Sequence, residues 1–265
     1  MVVYRIAALG FALAGATSFA AELRPATVEA FHQYVQSAGV SARRPPQGWA
    51  AAGEKSPPNR LLIYRSHAPQ EVAGGLIHDW TGAVLAPLAR VEEVAALLRD
   101  FDRHHEFYSE IIASAGRGGD EELARGWWRV RKKKGLTVIL DIEIEARSQR
   151  LDVGRWFIAS RSTSVREVRK AGRTMEQARA PGRGRGFLWA LNAYWWLEQA
   201  GRGVWVQCRT ISLTRRAPAI LGWLVTPFLE SAPRESLETM LHDTRSAFSN
   251  PGGRPRFTVS LPPVR

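Results

Sequence analysis

The stretch from Ala217 to Phe248 constrains this chain more than any other. Ala217, Ile220, Leu221, Leu224, Val225 and Phe228 recur at three-and-four spacing, which predicts a helix with one apolar face. After Pro233 the pattern resumes with Leu237, Met240, Leu241 and Phe248, while Arg234, Glu235, Glu238, Asp243 and Arg245 fall mostly on the other side. Pro227 and Pro233 each remove a backbone donor and crowd the preceding turn, so a kink or short break is expected there. Ser231 or Ser236 would cap the restarted helix. Such a helix needs an apolar surface to lie on. Most of the chain before it reads as strands with one apolar face. The expected fold is therefore α+β, a curved antiparallel sheet closing around the terminal helix, and any gap between them is the ligand site.

The strands are read from period-two alternation. In Gly75 to Pro87, Leu76, His78, Trp80, Gly82, Val84 and Ala86 alternate with Ile77, Thr81, Ala83 and Leu85. A helix follows from Arg90 to His104, with Val91, Val94, Leu97, Leu98 and Phe101 at helical spacing. Phe107 to Ile112 leads into another strand, and Gly116 to Asp120 is a turn. Leu123–Lys132 and Leu136–Ala146 read as a hairpin, the second arm carrying Leu136, Val138, Leu140, Ile142 and Ile144 on one face. The opposite face carries Thr137, Asp141, Glu143 and Glu145, so one side is buried and the other wet. Arginines on a neighbouring strand would pair those carboxylates. Val153 to Val168 is a further strand, the Arg- and Gly-rich Lys170 to Gly186 a mobile loop, and Phe187–Glu198 with Val204–Thr214 a last hairpin.

The N-terminus carries a different message. Met1 to Ala20 has one charge, Arg5, an apolar run from Ile6 to Ala14, and small residues ending Ser18-Phe19-Ala20. That is the pattern of a secretory signal cut before Ala21, and the apolar run is too short for an ordinary transmembrane helix. The mature chain then holds one cysteine, Cys208, which has no internal disulfide partner. Its strand context marks a buried, inert thiol. Export without disulfides places the chain in a bacterial periplasm or outside the cell. A short helix with Val28, Phe31, Tyr34 and Val35 follows the signal, then a linker from Ser41 to Asn59. The formal net charge of +12 favours anionic lipid headgroups or other polyanions over nucleic acid, for which no motif is present.

The strand Val84-Leu85-Ala86-Pro87, the helix Val91 to Phe101, the run Asp102 to Tyr108 (DRHHEFY), the hairpin Asn192–Glu198 with Gly203–Val206 and the terminal helix together resemble the START-like, polyketide-cyclase-like superfamily. Its coenzyme Q-binding START members and the birch-pollen allergen share the helix-grip fold. The resemblance covers roughly Gly75 to Phe248 and implies a hydrophobic ligand between sheet and terminal helix, with cyclisation or hydration in some members. The expected organisation is a signal peptide over 1–20, a helical extension and linker over 21–74, a helix-grip domain over 75–250 and a tail over 251–265.

The candidate ligand site is the aromatic hairpin together with the terminal helix. On one reading of the register, Trp196 and Trp205 are apolar walls and Asn192, Tyr194, Gln207 and Arg209 a few convergent polar groups. Trp189 joins them from the hairpin, and Leu221, Leu224, Val225 and Phe228 from the helix. On the other reading Phe187, Trp189, Leu191, Ala193, Trp195 and Leu197 form the core face and the Asn192/Tyr194 face is solvated. His104 and His105 read as a solvated helix end, since neighbouring residues on a helix point apart and no metal-ligand spacing accompanies them. The basic run Arg131 to Lys134 sits at a hairpin tip. Gly182-Arg183-Gly184-Arg185-Gly186 lacks the Lys-Ser/Thr and the following helix of a phosphate loop. No metal, cofactor or catalytic residue is assigned. The expected function is exported binding of a lipid, quinone or isoprenoid-like ligand. The alternatives are a cyclase, hydratase or hydrolase in the same cavity, with Tyr194, Arg209 or a nearby carboxylate polarising the substrate, and an envelope interaction protein with a filled core.

Overall fold

The computed structural model describes residues 21–40, 45, 61–134, 136–216 and 222–249. The expected signal peptide, the linker from Ser41 to Asn59 apart from Pro45, Leu221 and the C-terminal tail lie outside the described residues. So do the side chains of 222–228, Leu224, Val225 and Phe228 among them.

The elements in order are β1 (Ala21–Glu22), α1 (Pro25–Ser37), β2 (Leu62–Val72), β3 (Gly75–Pro87), α2 (Val91–Arg99), α3 (His104–Phe107), β4 (Ile111–Gly119), β5 (Leu123–Lys134), β6 (Leu136–Asp152), β7 (Arg155–Arg169), β8 (Gln177–Ala178), β9 (Arg183–Gly184), β10 (Ala190–Ala200), β11 (Gly203–Arg215) and α4 (Gly222–Ser249). One antiparallel sheet runs β2-β3-β11-β10-β7-β6-β5-β4, with β8 paired to β7. β11 returns to pair with β3, Cys208 opposite Gly82 and Thr214 opposite Leu76. This is the helix-grip arrangement, and β2 of the N-terminal extension is its edge strand.

Alternation decides what each face meets. On β10 and β11 the cross-strand pairs Leu191–Ser212, Ala193–Thr210 and Trp195–Cys208 share one face. That inner face continues on β3 through Leu76, His78, Trp80, Gly82, Val84 and Ala86. Part of it is covered by α2, whose Val91, Val94, Ala95, Leu97 and Leu98 are buried. The start of α2 is fastened to the β10–β11 turn by Gln199. Its Oε1 accepts the Val91 N–H at 2.9 Å, and its Nε2 donates to the Ala89 and Gly203 carbonyls. The rest of the inner face lies under α4. Leu229, Leu237, Leu241, Thr244 and Phe248 are its buried stripe, at spacings that keep them on one side of a helix.

α4 crosses β3 at Gly82, where a Cβ would sit 2.5 Å from Leu241 Cδ1 and 3.1 Å from the Leu62 carbonyl oxygen. Only a glycine lets helix and sheet approach so closely. Gly126 on β5 plays the same part beneath Phe101, whose Cγ would lie 2.2 Å from an added Cβ. α4 continues through Pro227 and Pro233, so the expected break does not occur. The missing proline donors each remove one helical bond, but from Leu229 onward the helix is held on the sheet by its buried stripe. Ser236 is not a cap; its hydroxyl donates to Glu110 Oε2 at 2.9 Å.

The outer face differs from both readings of the hairpin. At one end α1 packs on it: Phe31 joins Ile77, Ile211 and Leu213 in a cluster that Tyr34, Val35, Trp189 and Tyr194 border. At the other end, on β5 to β7, the expected ion-paired ladder is present. Arg129 binds Asp141 at 2.8 Å, Arg166 lies 3.4 Å from Glu143, and Arg125 and Arg161 each lie 3.1 Å from Glu145. The Gly-rich run after Ala180 is anchored. β9 pairs with β1, and the Glu167 carboxylate accepts the N–H groups of Arg185 and Gly186 at 2.8 Å and of Phe187 at 3.3 Å. It holds an internal carboxylate where a phosphate loop would hold its ligand.

Candidate functional site

Between α4 and the inner face, at the end of the sheet that α2 does not cover, lies a cavity of about 140 Å³. β5 and β6 form its floor through Trp128, Val130, Val138, Leu140 and Ile142, all on the inner face by register. β10 and the segment before it contribute Phe187, Leu188 and Leu191, and α4 contributes Leu229, Leu237 and Met240. The lining is mostly apolar, because alternation turns the apolar face of β6 toward it and α4 adds Leu229, Leu237 and Met240.

Two polar groups interrupt it. Thr210, Ser212 and Thr214, at every second position of β11, form a hydroxyl stripe along one wall. Thr214 Oγ1 lies 3.1 Å from Nε2 of the buried His78. Opposite the stripe, Glu110, Lys132 and Ser236 converge from β5, α4 and the residue before β4. Lys132 Nζ is 2.5 Å from Glu110 Oε1 and 3.8 Å from Glu235 Oε2. Asp243 also lines the cavity, but its carboxylate is committed to the Ser109 N–H and hydroxyl, each at 2.8 Å. A polar ligand atom would meet the Glu110–Lys132–Ser236 end, and an apolar body the remainder.

A buried histidine supports the floor. His104 is 2% exposed, not at a solvated helix end as expected, and only His105 is on the surface. The indole N–H of Trp128 donates to His104 Nδ1 at 2.9 Å, so Nδ1 carries no proton. Nε2–H then donates to the Leu97 carbonyl at 2.8 Å. Burial pushes this imidazole down to about pKa 4 and keeps it neutral. Cys208 is fully buried on the inner face of β11, and burial raises its thiol well above the usual range, which makes it inert.

None of the described residues expected from sequence to hold ligand lines the cavity. Asn192, Tyr194 and Trp196 on β10, and Trp205, Gln207 and Arg209 on β11, lie on the outer face, with Tyr194 opposite Arg209, Trp196 opposite Gln207, Asn192 opposite Ile211 and Trp205 opposite Glu198. Trp189 lies with α1. Arg209 is part of a different structure. Its guanidinium grips Asp79 through Nε at 2.9 Å and Nη2 at 2.6 Å, and Nη1 donates to the Ala38 carbonyl. Tyr34 donates to the same carboxylate at 2.8 Å. Burial pushes the Asp79 carboxyl up, and the Arg209 guanidinium more than offsets that, so it titrates below its ordinary value.

The cavity residues that sequence reasoning passed over left a signal. Thr210, Ser212 and Thr214 continue the face of Val204, Val206 and Cys208, and small hydroxyl side chains on an otherwise apolar buried face mark where the core is not filled. Glu110 and Lys132 left none, because they are brought together only by β4–β5 pairing. Among the described residues no group of His, Cys, Asp or Glu has the arrangement of a metal site, and no helix is long and apolar enough to cross a membrane.

No family model and no curated protein matches the chain. Solved structures similar to it include the STAR-related lipid transfer protein from Xanthomonas axonopodis, at 15% identity over 69% of this chain and 98% of that one, with a TM-score of 0.46. The Zhui aromatase/cyclase from Streptomyces sp. R1128 is similar at 12% identity over 68% and 99%, with a TM-score of 0.46. Human STARD10 is similar at 9% identity over 76% and 80%, with a TM-score of 0.40.

Proposed function

We propose that the chain is an exported binding protein that takes an apolar ligand, or the apolar segment of a larger lipid, quinone or isoprenoid-like molecule, between its sheet and α4. The observation that carries this reading is the unfilled, mostly apolar cavity of about 140 Å³ with a polar cluster at one end. Cavities of this order accept a benzene-sized apolar molecule, and each methylene moved into one contributes about 0.8 kcal/mol. The polar cluster gives the bound molecule a direction: head toward Glu110, Lys132 and Ser236, body toward Trp128 and Leu140.

The test is displacement of an environment-sensitive apolar dye by a lipid and quinone panel, in the wild type and in Ser212→Phe. The added ring points into the cavity from β11. Saturable displacement that weakens by more than about tenfold in the variant, with the melting temperature held, supports the reading. Equal binding by both proteins, or none by either, overturns it.

Delivery from an anionic membrane belongs to the same reading. Arg131 and Lys133 are exposed on either side of Lys132, which itself lines the cavity. A basic tip beside the cavity mouth would bring it to a negatively charged surface. Co-sedimentation with vesicles containing phosphatidylglycerol, lost on adding salt and in Arg131→Glu with Lys133→Glu, is the expected result; salt-independent binding or none contradicts it.

A cyclase- or hydratase-type reaction in the same cavity is the second reading. It rests on the carboxylate and ammonium of Glu110 and Lys132 converging at the wall, since such groups transfer protons. Tyr194 and Arg209 have no part in it, being on the outer face. Turnover lost in Glu110→Gln while dye binding persists would favour it; bound ligand extracted chemically unchanged would oppose it.

A further inference from the structure

Beside the main cavity lies a second of about 20 Å³, beneath α3 and bounded by Phe101, Ile158 and Trp195 among others. A space of that size has room for about one water molecule. Its lining offers a water little: both His104 nitrogens are engaged by Leu97 and Trp128, and Ser160 Oγ donates to the Ala193 carbonyl at 3.2 Å. The two cavities share four lining residues, Tyr108, Ile111, Trp128 and Met240, and these are the partition between them.

Three of the four are fixed. Trp128 is held by its bond to His104, and its ring lies 5.7 Å from that of Phe101. Tyr108 is buried with its hydroxyl 3.3 Å from Thr244 Oγ1, which itself donates to the Met240 carbonyl. Ile111 is buried at the start of β4, opposite Val130. Met240 alone is an unbranched, partly buried side chain whose bonds in the network are made by its backbone. Methionine is the residue that most readily changes rotamer in a packed interior.

We infer that Met240 is the adjustable partition that sets how long an apolar chain the protein accepts, by opening or closing the small inner cavity to a ligand in the main one. The inference rests on the ligand-binding reading and adds the residue that determines specificity. With the polar head at Glu110, Lys132 and Ser236, a chain laid along α4 reaches Met240 one helical turn further on. Affinity rises by about fourfold for each added methylene until the chain end meets the partition.

The experiment is direct titration of a homologous series of straight-chain fatty acids by calorimetry, on the wild type, Met240→Ala, Met240→Leu and Met240→Phe, each checked for an unchanged melting profile. The expected result is a break in the length dependence that moves to longer chains by about two or three methylenes in Met240→Ala, the room its missing side-chain atoms leave. The break should stay in place in Met240→Leu, and it should move to shorter chains in Met240→Phe. If Met240→Ala does not fold, the opposite displacement in Met240→Phe carries the test. Saturable binding with the same break in every variant overturns the partition and leaves the ligand-binding reading standing. No saturable binding by any of the four proteins overturns both.

Discussion

His104 and His78 are the residues with the clearest consequence for behaviour. Burial holds both near pKa 4, against 6.5 for a free imidazole, and neither carries charge in the folded chain at neutral pH. His104 cannot accept a second proton without opposing the Trp128 indole N–H at Nδ1. Between pH 6.5 and pH 4 the unfolded chain therefore binds protons that the folded chain refuses. The sign follows directly: stability is unaffected above pH 6.5 and falls as the pH drops through that window. The slope approaches about 1.4 kcal/mol per pH unit for each histidine. Urea unfolding followed from pH 7 to pH 4.5 should show this fall, and His104→Gln should remove about half of the slope. A slope in the variant equal to the wild type would show that His104 does not carry it. Buried carboxylates such as Asp79, whose pKa is lowered, add their own loss only at more acid pH.

At the scale of elements, α1 and α4 cover opposite faces of one sheet. α1 is pinned by charge: Asp79 is 1% exposed and Arg209 8%, with Tyr34 and the Ala38 carbonyl completing the bonds. Removing one partner leaves the other buried and unpaired, so Asp79→Ala should destabilise the fold by about 3–5 kcal/mol. Asp79→Leu combined with Arg209→Met should recover most of that loss. Chemical denaturation of the three proteins decides it; a single variant as stable as the wild type contradicts the pinning role.

This pair also shows where sequence reading stops. β3 was legible from Gly75 to Pro87 because its alternation is clean, and the β5–β6 ladder because Asp141, Glu143 and Glu145 share a face. The hairpin of β10 and β11 is apolar on one face and aromatic and polar on the other. Alternation alone does not say which of two such faces meets α4. α1 made the choice hard to see: by covering the Tyr194–Arg209 end it gives an outer face the composition of a cavity wall. The continuity of α4 through two prolines was equally hidden, since the sheet contacts that sustain it are long-range.

For the whole molecule, the grip between sheet and α4 is left partly open. α2 fills one half of the inner face to full burial, whereas under α4 a cavity of about 140 Å³ remains, although an empty apolar space of that size is destabilising. A bound molecule removes that penalty and stabilises the fold by mass action. The net charge of +12 is carried mainly outside this cavity, so it bears on approach to a surface and not on the bound apolar body.

The most direct measurement is native mass spectrometry of the protein purified from its own host, followed by organic extraction. The account predicts one lipophilic molecule bound per chain, released intact by solvent and lost in Ser212→Phe. A bare chain mass, with no thermal shift on adding the lipid and quinone panel, would contradict it.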